Sequence, residues 1–362
     1  MPVPDISSMR VAVVGAGLMG CWHAYFAQRL GAKVVAIVDR APGTASSLAR
    51  RVKKAAIFSE MGAMLEVVRP HVVHICTPLP SHFPLTLQGI EAGVHALVEK
   101  PLTHLAGQTQ ALLQKAREKG VHVCPVHQFR FQSGVARASE ALNGLGEPLY
   151  GNFTICSAGG GVNNGTALDN IVADILPHPL SILQTLWPVN SLQAKDWTAI
   201  SRRNGELHVQ GRTGEMAVRI YVSMNARPTR CDLDILCSGG SIHLNFFHGY
   251  AVVRRGKPSR MDKVAQPFVF AGKTFVVAAA NLAVRALRRE MAYPGLSTLI
   301  RSFYAAARGE GDNPISAQDT LAAASIREHI IRQAIPGVLL ESGGDQKPDQ
   351  AVEHDDQYSG TL

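Results

Sequence analysis

Six residues near the amino end, Gly15-Ala16-Gly17-Leu18-Met19-Gly20, follow the apolar run Val11–Val14 and open onto a segment with helical periodicity. Three glycines at this spacing between a strand and a helix leave the chain few folds. The first permits a tight turn, and the second lets the backbone approach a pyrophosphate. The third lets helix and strand pack closely, with the helix amino end facing the phosphates. Asp39 closes the next apolar run, at the distance where a carboxylate takes the hydroxyls of an adenosine ribose. The pattern predicts a dinucleotide site built from Gly15, Gly17, Leu18, Met19, Gly20 and Asp39. Asp39 favours NAD, while Arg40 beside it keeps NADP open, because a guanidinium there can pair with a 2′-phosphate.

Between Arg10 and about Val126, short Val/Ile/Ala-rich runs alternate with longer helical segments, the pattern of parallel strands joined by crossovers. Strands are expected at Val11–Val14, Val34–Val38, Val72–Cys76, His95–Val98 and Val121–Val126. Helices are expected at Leu18–Leu30, Leu85–Ala92 and Ala106–Lys119. The fold class is therefore α/β, a doubly wound parallel sheet of the Rossmann type over residues 10–128, behind a short extension at 1–9. From about Tyr150 the texture becomes period-two alternation, in Leu149–Ser157, Glu215–Met224, Asp232–Cys237 and Ser241–Phe246. That implies antiparallel strands with one covered face, so residues 129–340 are expected to form an α+β domain. Helices at Gly295–Ala307 and Ala317–Gln333 return to cover the structure. An insertion is expected at about 256–290, and the polar, acidic tail 341–362 is expected to be disordered.

With 362 residues, 46% hydrophobic and 18% charged, the chain can fill two cores, which excludes collagen-like, coiled-coil and largely disordered chains. The six cysteines are scattered with no CxxC pair, so neither a metal site nor a disulfide framework is expected. A reducing, cytoplasmic compartment follows. Met1–Ser8 has no secretory-leader pattern. The net charge is +8, but the tail from Glu341 carries six acids and one lysine, so the remainder holds 35 basic against 22 acidic residues. A positive body suits an anionic partner such as a phosphorylated or nucleotide-linked substrate. No nucleic-acid motif accompanies the charge, and none is expected to bind.

Two further segments end predicted strands, where open α/β sheets bind ligands. One holds Thr77, Pro78 and His82; the other is Glu99-Lys100-Pro101. Lys100 can orient a substrate oxygen or assist its proton transfer at the nicotinamide end of the cleft. Together GAGLMG, the TPxxxH of Thr77–His82, and Gly89-Ile90-Glu91-Ala92-Gly93-Val94-His95 leading into Glu99-Lys100-Pro101 resemble the glucose–fructose oxidoreductase / inositol dehydrogenase / MocA (Gfo/Idh/MocA) family. The resemblance spans the first domain and reaches His127-Gln128-Phe129-Arg130-Phe131. It implies a Rossmann domain followed by a domain on an open, mainly antiparallel sheet, and homodimers or homotetramers. It also implies a second catalytic motif, an aspartate with a histidine four residues on, here Asp174 and His178, which at that spacing share one helical face. By resemblance Lys100, Asp174 and His178 form the catalytic set. His178 exchanges the hydroxyl proton, Asp174 binds or orients a neighbouring hydroxyl, and Lys100 polarises the reacting oxygen. Arg130 and Asn163 are further candidates for holding substrate.

The chain departs from the family where an aspartate is common, carrying Ser181 instead, and prolines flank His178 as Pro177 and Pro179. The expected function is an NAD(P)-dependent oxidoreductase acting on a hydroxyl or carbonyl carbon of a sugar, cyclitol or sugar nucleotide. Reduction of an imine or enone, and a non-enzymatic dinucleotide sensor, are the alternatives. For the segment Lys257–Arg289 two readings compete. The favoured one is a cover over the site or an oligomer interface; the other is an amphipathic element at 265–289 resting on an anionic membrane surface.

Overall fold

The structure is a computed structural model and describes residues 5–52, 55–157, 165–187, 192–201, 203–256, 260–290 and 292–340. It divides into two compact units, the first built from the chain up to Phe131 together with Gly295–Ser325. The second takes Gln132–Pro294 and the chain from Ile326 onward. The return of Gly295–Ser325 to the first unit differs from the expected single span 129–340. Its cause is the helix Leu296–Ala307, whose buried face of Leu296, Leu299, Ile300, Phe303 and Tyr304 packs on the helix Leu18–Arg29 and the strand His95–Val98.

The first unit holds a parallel sheet of β1 (Arg10–Val14), β2 (Lys33–Val38), β3 (Ala56–Phe58), β4 (Val72–Ile75), β5 (His95–Val98) and β6 (Val123–Pro125). The spatial order is β3-β2-β1-β4-β5-β6, the doubly wound arrangement expected. The strands read as unbroken apolar runs because helices cover both faces, and every residue of β4 is buried. Only β3 was not foreseen, since three residues show no period. The order reverses between β1 and β4, which opens a crevice at the carboxyl edge of the sheet. Parallel pairing runs one residue past the strands. Gly15 N–H donates to Val38 O at 2.8 Å, Cys76 N–H to Val14 O at 2.7 Å, Glu99 N–H to Ile75 O at 2.9 Å and Val126 N–H to Val98 O at 2.8 Å. The ladder therefore sets Gly15, Cys76, Glu99 and Val126 in one row, and the loops that could meet a ligand leave from it.

The second unit is built on a seven-stranded sheet of β7 (Pro148–Cys156), β8 (Thr198–Ile200), β9 (Glu206–Thr213), β10 (Met216–Ser223), β11 (Arg230–Cys237), β12 (Gly240–Asn245) and β13 (Tyr250–Arg255). The order is β13-β12-β11-β7-β10-β9-β8, an open sheet with β13 and β8 at its edges. All neighbours pair antiparallel except β7 and β10, which run parallel. Alternation shows in β10, where Met216, Val218, Ile220 and Val222 are buried and Ala217 and Arg219 are exposed. β9 escapes a sequence reading because Leu207 and Val209 are its only large apolar residues among charged and polar ones. A helix of 28 residues, Arg260–Leu287, fills the span of the expected insertion.

Candidate functional site

The glycine turn has the geometry its three roles require. Gly15 has φ +92°, a left-handed conformation, and a Cβ there would lie 2.6 Å from Cys76 O. A Cβ on Gly20 would lie 1.9 Å from Gly15 O, so only glycine lets the helix Leu18–Arg29 start this close to the turn. At Gly17 an added Cβ would meet nothing within 4 Å, and the residue is exposed at the helix N-cap. The open backbone at Gly17 is thus a surface that a pyrophosphate fits and that a side chain would fill. Leu18 and Met19 follow it on the first helical turn, with Leu18 exposed. Asp39, just past β2, accepts from Ala16 N–H at 2.7 Å and from Ala41 N–H at 2.9 Å. Its carboxylate is thereby tied to the glycine turn, and Arg40 is exposed beside it.

The loops after β4 and β5 are tied together by His82, which is 1% exposed. Its Nδ1 lies 2.8 Å from Pro101 O and its Nε2 2.7 Å from Thr77 O. Thr77 in turn accepts from Ser81 Oγ at 2.7 Å, and Pro78 opens a short turn of helix at Leu79–Ser81. Lys100 is half-buried at the end of β5.

Behind Glu99 runs a buried chain of side chains within the same unit. Tyr304 Oη is 3.0 Å from His74 Nε2, His74 Nδ1 is 2.9 Å from His23 Nδ1, and His23 Nε2 is 3.2 Å from Glu99 Oε1. Burial pushes His74 well below the usual imidazole pKa and His23 adds to this, so His74 is neutral with one N–H. Burial raises Tyr304 well above the usual phenol value, so it keeps its proton. Burial alone would raise Glu99, but the His23 hydrogen bond and the charges of His23, Lys100 and His82 outweigh it, and Glu99 sits below the usual carboxyl value. A carboxylate only accepts, so His23 Nε2–H donates to Glu99. The remaining Glu99 oxygen accepts from Lys100 N–H at 3.3 Å. The Glu99-Lys100 step is therefore anchored through three side chains to the strand β4 and the helix Leu296–Ala307.

In the second unit, Asp174 and His178 do not share one helix. The helix Gly165–Ile175 ends just after Asp174, and a second, Pro177–Leu186, begins just before His178. Pro177 is the reason: it has no N–H to give the carbonyl four residues back. That carbonyl, on Ala173, instead accepts from Arg327 Nε at 3.0 Å. Arg327 is 2% exposed, and its Nη2 lies 3.7 Å from Asp174 Oδ1. One buried guanidinium thus fills the gap left by Pro177 and orients Asp174. Ser181 is buried and donates to His178 O at 2.8 Å, so its hydroxyl is engaged by backbone. Arg327→Met is expected to lower stability by about 2 kcal/mol, because the buried Ala173 carbonyl loses its donor and the partly exposed Asp174 its cation. Thermal melting checks this, and an unchanged midpoint would mean that the guanidinium holds nothing. Arg130 donates through Nη2 to Asp319 at 2.9 Å in a largely buried ion pair of the first unit. Asn163 lies outside the described residues. Among the described residues no group of three or more His, Cys, Asp or Glu side chains is placed to hold a metal.

Residues 9–127 match the oxidoreductase family described as having an NAD-binding Rossmann fold, Gfo/Idh/MocA. The first unit thus carries the NAD-binding region of this family. The chain is 31% identical over 147 residues to the D-glucoside 3-dehydrogenase of Escherichia coli (strain K12), covering 40% of this chain and 42% of that protein. It is also 31% identical over 147 residues to the scyllo-inositol 2-dehydrogenase (NAD(+)) of Bacillus subtilis (strain 168), covering 39% and 43%. The match thus spans less than half the length of these curated relatives. Across the whole fold it resembles the WlbA dehydrogenase of Bordetella pertussis, solved with NADH and UDP-GlcNAcA. There the TM-score is 0.70 at 16% identity, covering 91% of this chain and 96% of that one.

Sequence reasoning assigned no role to His23, His74, Tyr304, His127 or Arg327. One signal was present, since a histidine inside the apolar run Val72-Val73-His74-Ile75 is costly unless it is hydrogen-bonded. Tyr304 had no such mark, because its partner lies 230 positions away in the chain. His127, just beyond β6, is buried, and burial with the nearby charges of Arg130 and Lys100 lowers its pKa to about 3.

Proposed function

We propose that this protein is an NAD-dependent oxidoreductase acting on a hydroxyl-bearing carbon of a sugar, cyclitol or sugar nucleotide. The observation that carries the reading is the carboxyl edge of the first sheet. There an open Gly17, a tethered Asp39 and an anchored Glu99-Lys100 step follow strands of one ladder. When bound, the nicotinamide supplies or accepts the hydride. The protein contributes the rest: Gly17 and the helix amino end receive the pyrophosphate, and Asp39 receives the adenosine ribose hydroxyls. Lys100 polarises the reacting oxygen, His178 exchanges its proton, and Asp174, held by Arg327, binds a neighbouring hydroxyl. These roles rest on the family resemblance of each residue. The substrate class draws on the glucoside and inositol named for the relatives and on UDP-GlcNAcA in the structural neighbour. The positive body suits the nucleotide-linked member of that class.

The test begins with denaturing purified protein and identifying any released dinucleotide by mass. The emptied protein is then titrated with NADH and NADPH while polyols and sugar nucleotides are screened at the reduced-nicotinamide absorbance. NADH is expected to bind more tightly, because Asp39 would repel a 2′-phosphate. Failure to bind either cofactor sinks the reading. Lys100→Met is expected to lower turnover by about a thousandfold or more while leaving cofactor affinity nearly intact. Full activity in that variant would remove Lys100 from the mechanism.

A further inference from the structure

The helix Arg260–Leu287 is 28 residues long, about 42 Å at 1.5 Å per residue, and it touches the rest of its unit along one narrow stripe. That stripe is Phe270, Thr274, Val277, Asn281 and Arg285, residues three or four apart that are only partly exposed. Arg254 of β13 stacks 4.5 Å over the Phe270 ring. Asn281 Nδ2 donates to His248 O at 2.7 Å, and Arg285 Nη1 to the same oxygen at 3.3 Å.

The opposite side of the helix is apolar and uncovered. Val264, Phe268, Phe275 and Leu282 form one row, with Phe268 79% and Phe275 74% exposed. Val269, Val276 and Leu287 form the next, with Leu287 86% exposed. At 100° per residue both rows lie across the helix axis from the contact stripe. The usual order is inverted, with the apolar arc facing away from the protein. Patches of this size mark an interaction surface.

Charge chooses the occupant. From Val264 to Arg289 there is no acidic residue, and the segment carries Lys273, Arg285, Arg288 and Arg289. A second copy would bring an equally cationic helix against this one, with no acid to pair. An anionic lipid surface instead offers hydrocarbon to the arc and phosphates to the cations at its flanks and carboxyl end.

The segment Val264–Leu287 is long and apolar enough to cross a bilayer by length and composition. Spanning, however, would place Lys273 mid-helix in hydrocarbon and break the contacts to His248 and Arg254. We infer that this helix lies in the plane of an anionic membrane, its apolar arc sunk among the acyl chains, and holds the protein to the lipid surface.

The test is sedimentation of the full chain with vesicles of phosphatidylcholine alone or with one-third phosphatidylglycerol. A parallel variant carries Phe268→Glu, Phe275→Glu and Leu282→Glu. Wild type is expected to partition onto the anionic vesicles about tenfold more strongly than onto neutral ones. It should come off in alkaline carbonate, as an in-plane helix does. The variant should bind about a hundredfold more weakly or worse, with melting temperature and cofactor affinity unchanged because the three positions are exposed. Wild type left in the supernatant with both vesicles would overturn the inference. So would retention through carbonate, or light scattering that shows a lipid-indifferent dimer which the variant splits into monomers.

Discussion

Gly17→Ala is expected to yield a protein that folds and melts nearly as the parent does but binds dinucleotide about a hundredfold more weakly. The two halves of that result have separate causes. Gly17 has φ −69°, an ordinary value for any residue, and its added Cβ would meet nothing within 4 Å. The folded chain therefore loses at most about 1 kcal/mol, the difference between glycine and alanine at a helix N-cap. The new methyl would stand where a pyrophosphate must approach the backbone amides. Gly15→Ala supplies the contrast. There φ is +92° and the Cβ would stand 2.6 Å from Cys76 O, so the loss should be about 3 kcal/mol or more of stability. Paired melting curves and NADH fluorescence titrations separate the two effects. A Gly17→Ala protein that binds NADH as the parent does would mean that the phosphates do not pass over this turn.

The nucleotide-side unit was readable because its signals are local. GAGLMG, the strand ends and the helix Ala106–Lys119 each carry their pattern within a few consecutive residues, and His95–Val98 and Ala106–Lys119 stand at the expected bounds. What was not readable depends on partners far along the chain. The return of Gly295–Ser325 to the first unit and the Tyr304–His74–His23–Glu99 chain require contacts across as many as 230 positions. The parallel pair β7–β10 similarly depends on what the intervening chain does. The break between Asp174 and His178 is a different case. Pro177 was in plain view, but the spacing rule for one helical face took precedence over the missing amide. Only Arg327 on the Ala173 carbonyl shows how the chain tolerates the break.

Acidification is expected to destabilise the protein steeply from about pH 6.5 downward, before its carboxylates begin to titrate. His74 and His127 are buried and neutral in the fold, with pKa values far below 6.5, that of His127 at about 3. Unfolded, both would bind a proton near pH 6.5. The unfolded state therefore holds more protons than the native state between 6.5 and the folded values, and stability falls as pH falls. Each fully buried histidine adds about 1.4 kcal/mol per pH unit to that slope. His95, lowered to about 4 by burial with help from His122 and His71, acts in the same direction over a shorter window. Glu99 contributes with the same sign but later, since a carboxyl held below its usual value loses its stabilising effect only as pH drops through that lowered value. His127 alone would remove about 2.7 kcal/mol by pH 4.5, and His74 adds a loss of the same sign. Denaturant melts at half-unit pH steps, with proton uptake from calorimetry in two buffers, measure the slope. His127→Phe should flatten it by about one proton between pH 6.5 and about 3, and an unchanged slope would show that His127 is already charged in the native protein. The same arithmetic bears on the site. A protonated His74 would place a charge in the buried interior behind Glu99. Cofactor affinity is then expected to fall with the stability of the first unit rather than independently of it.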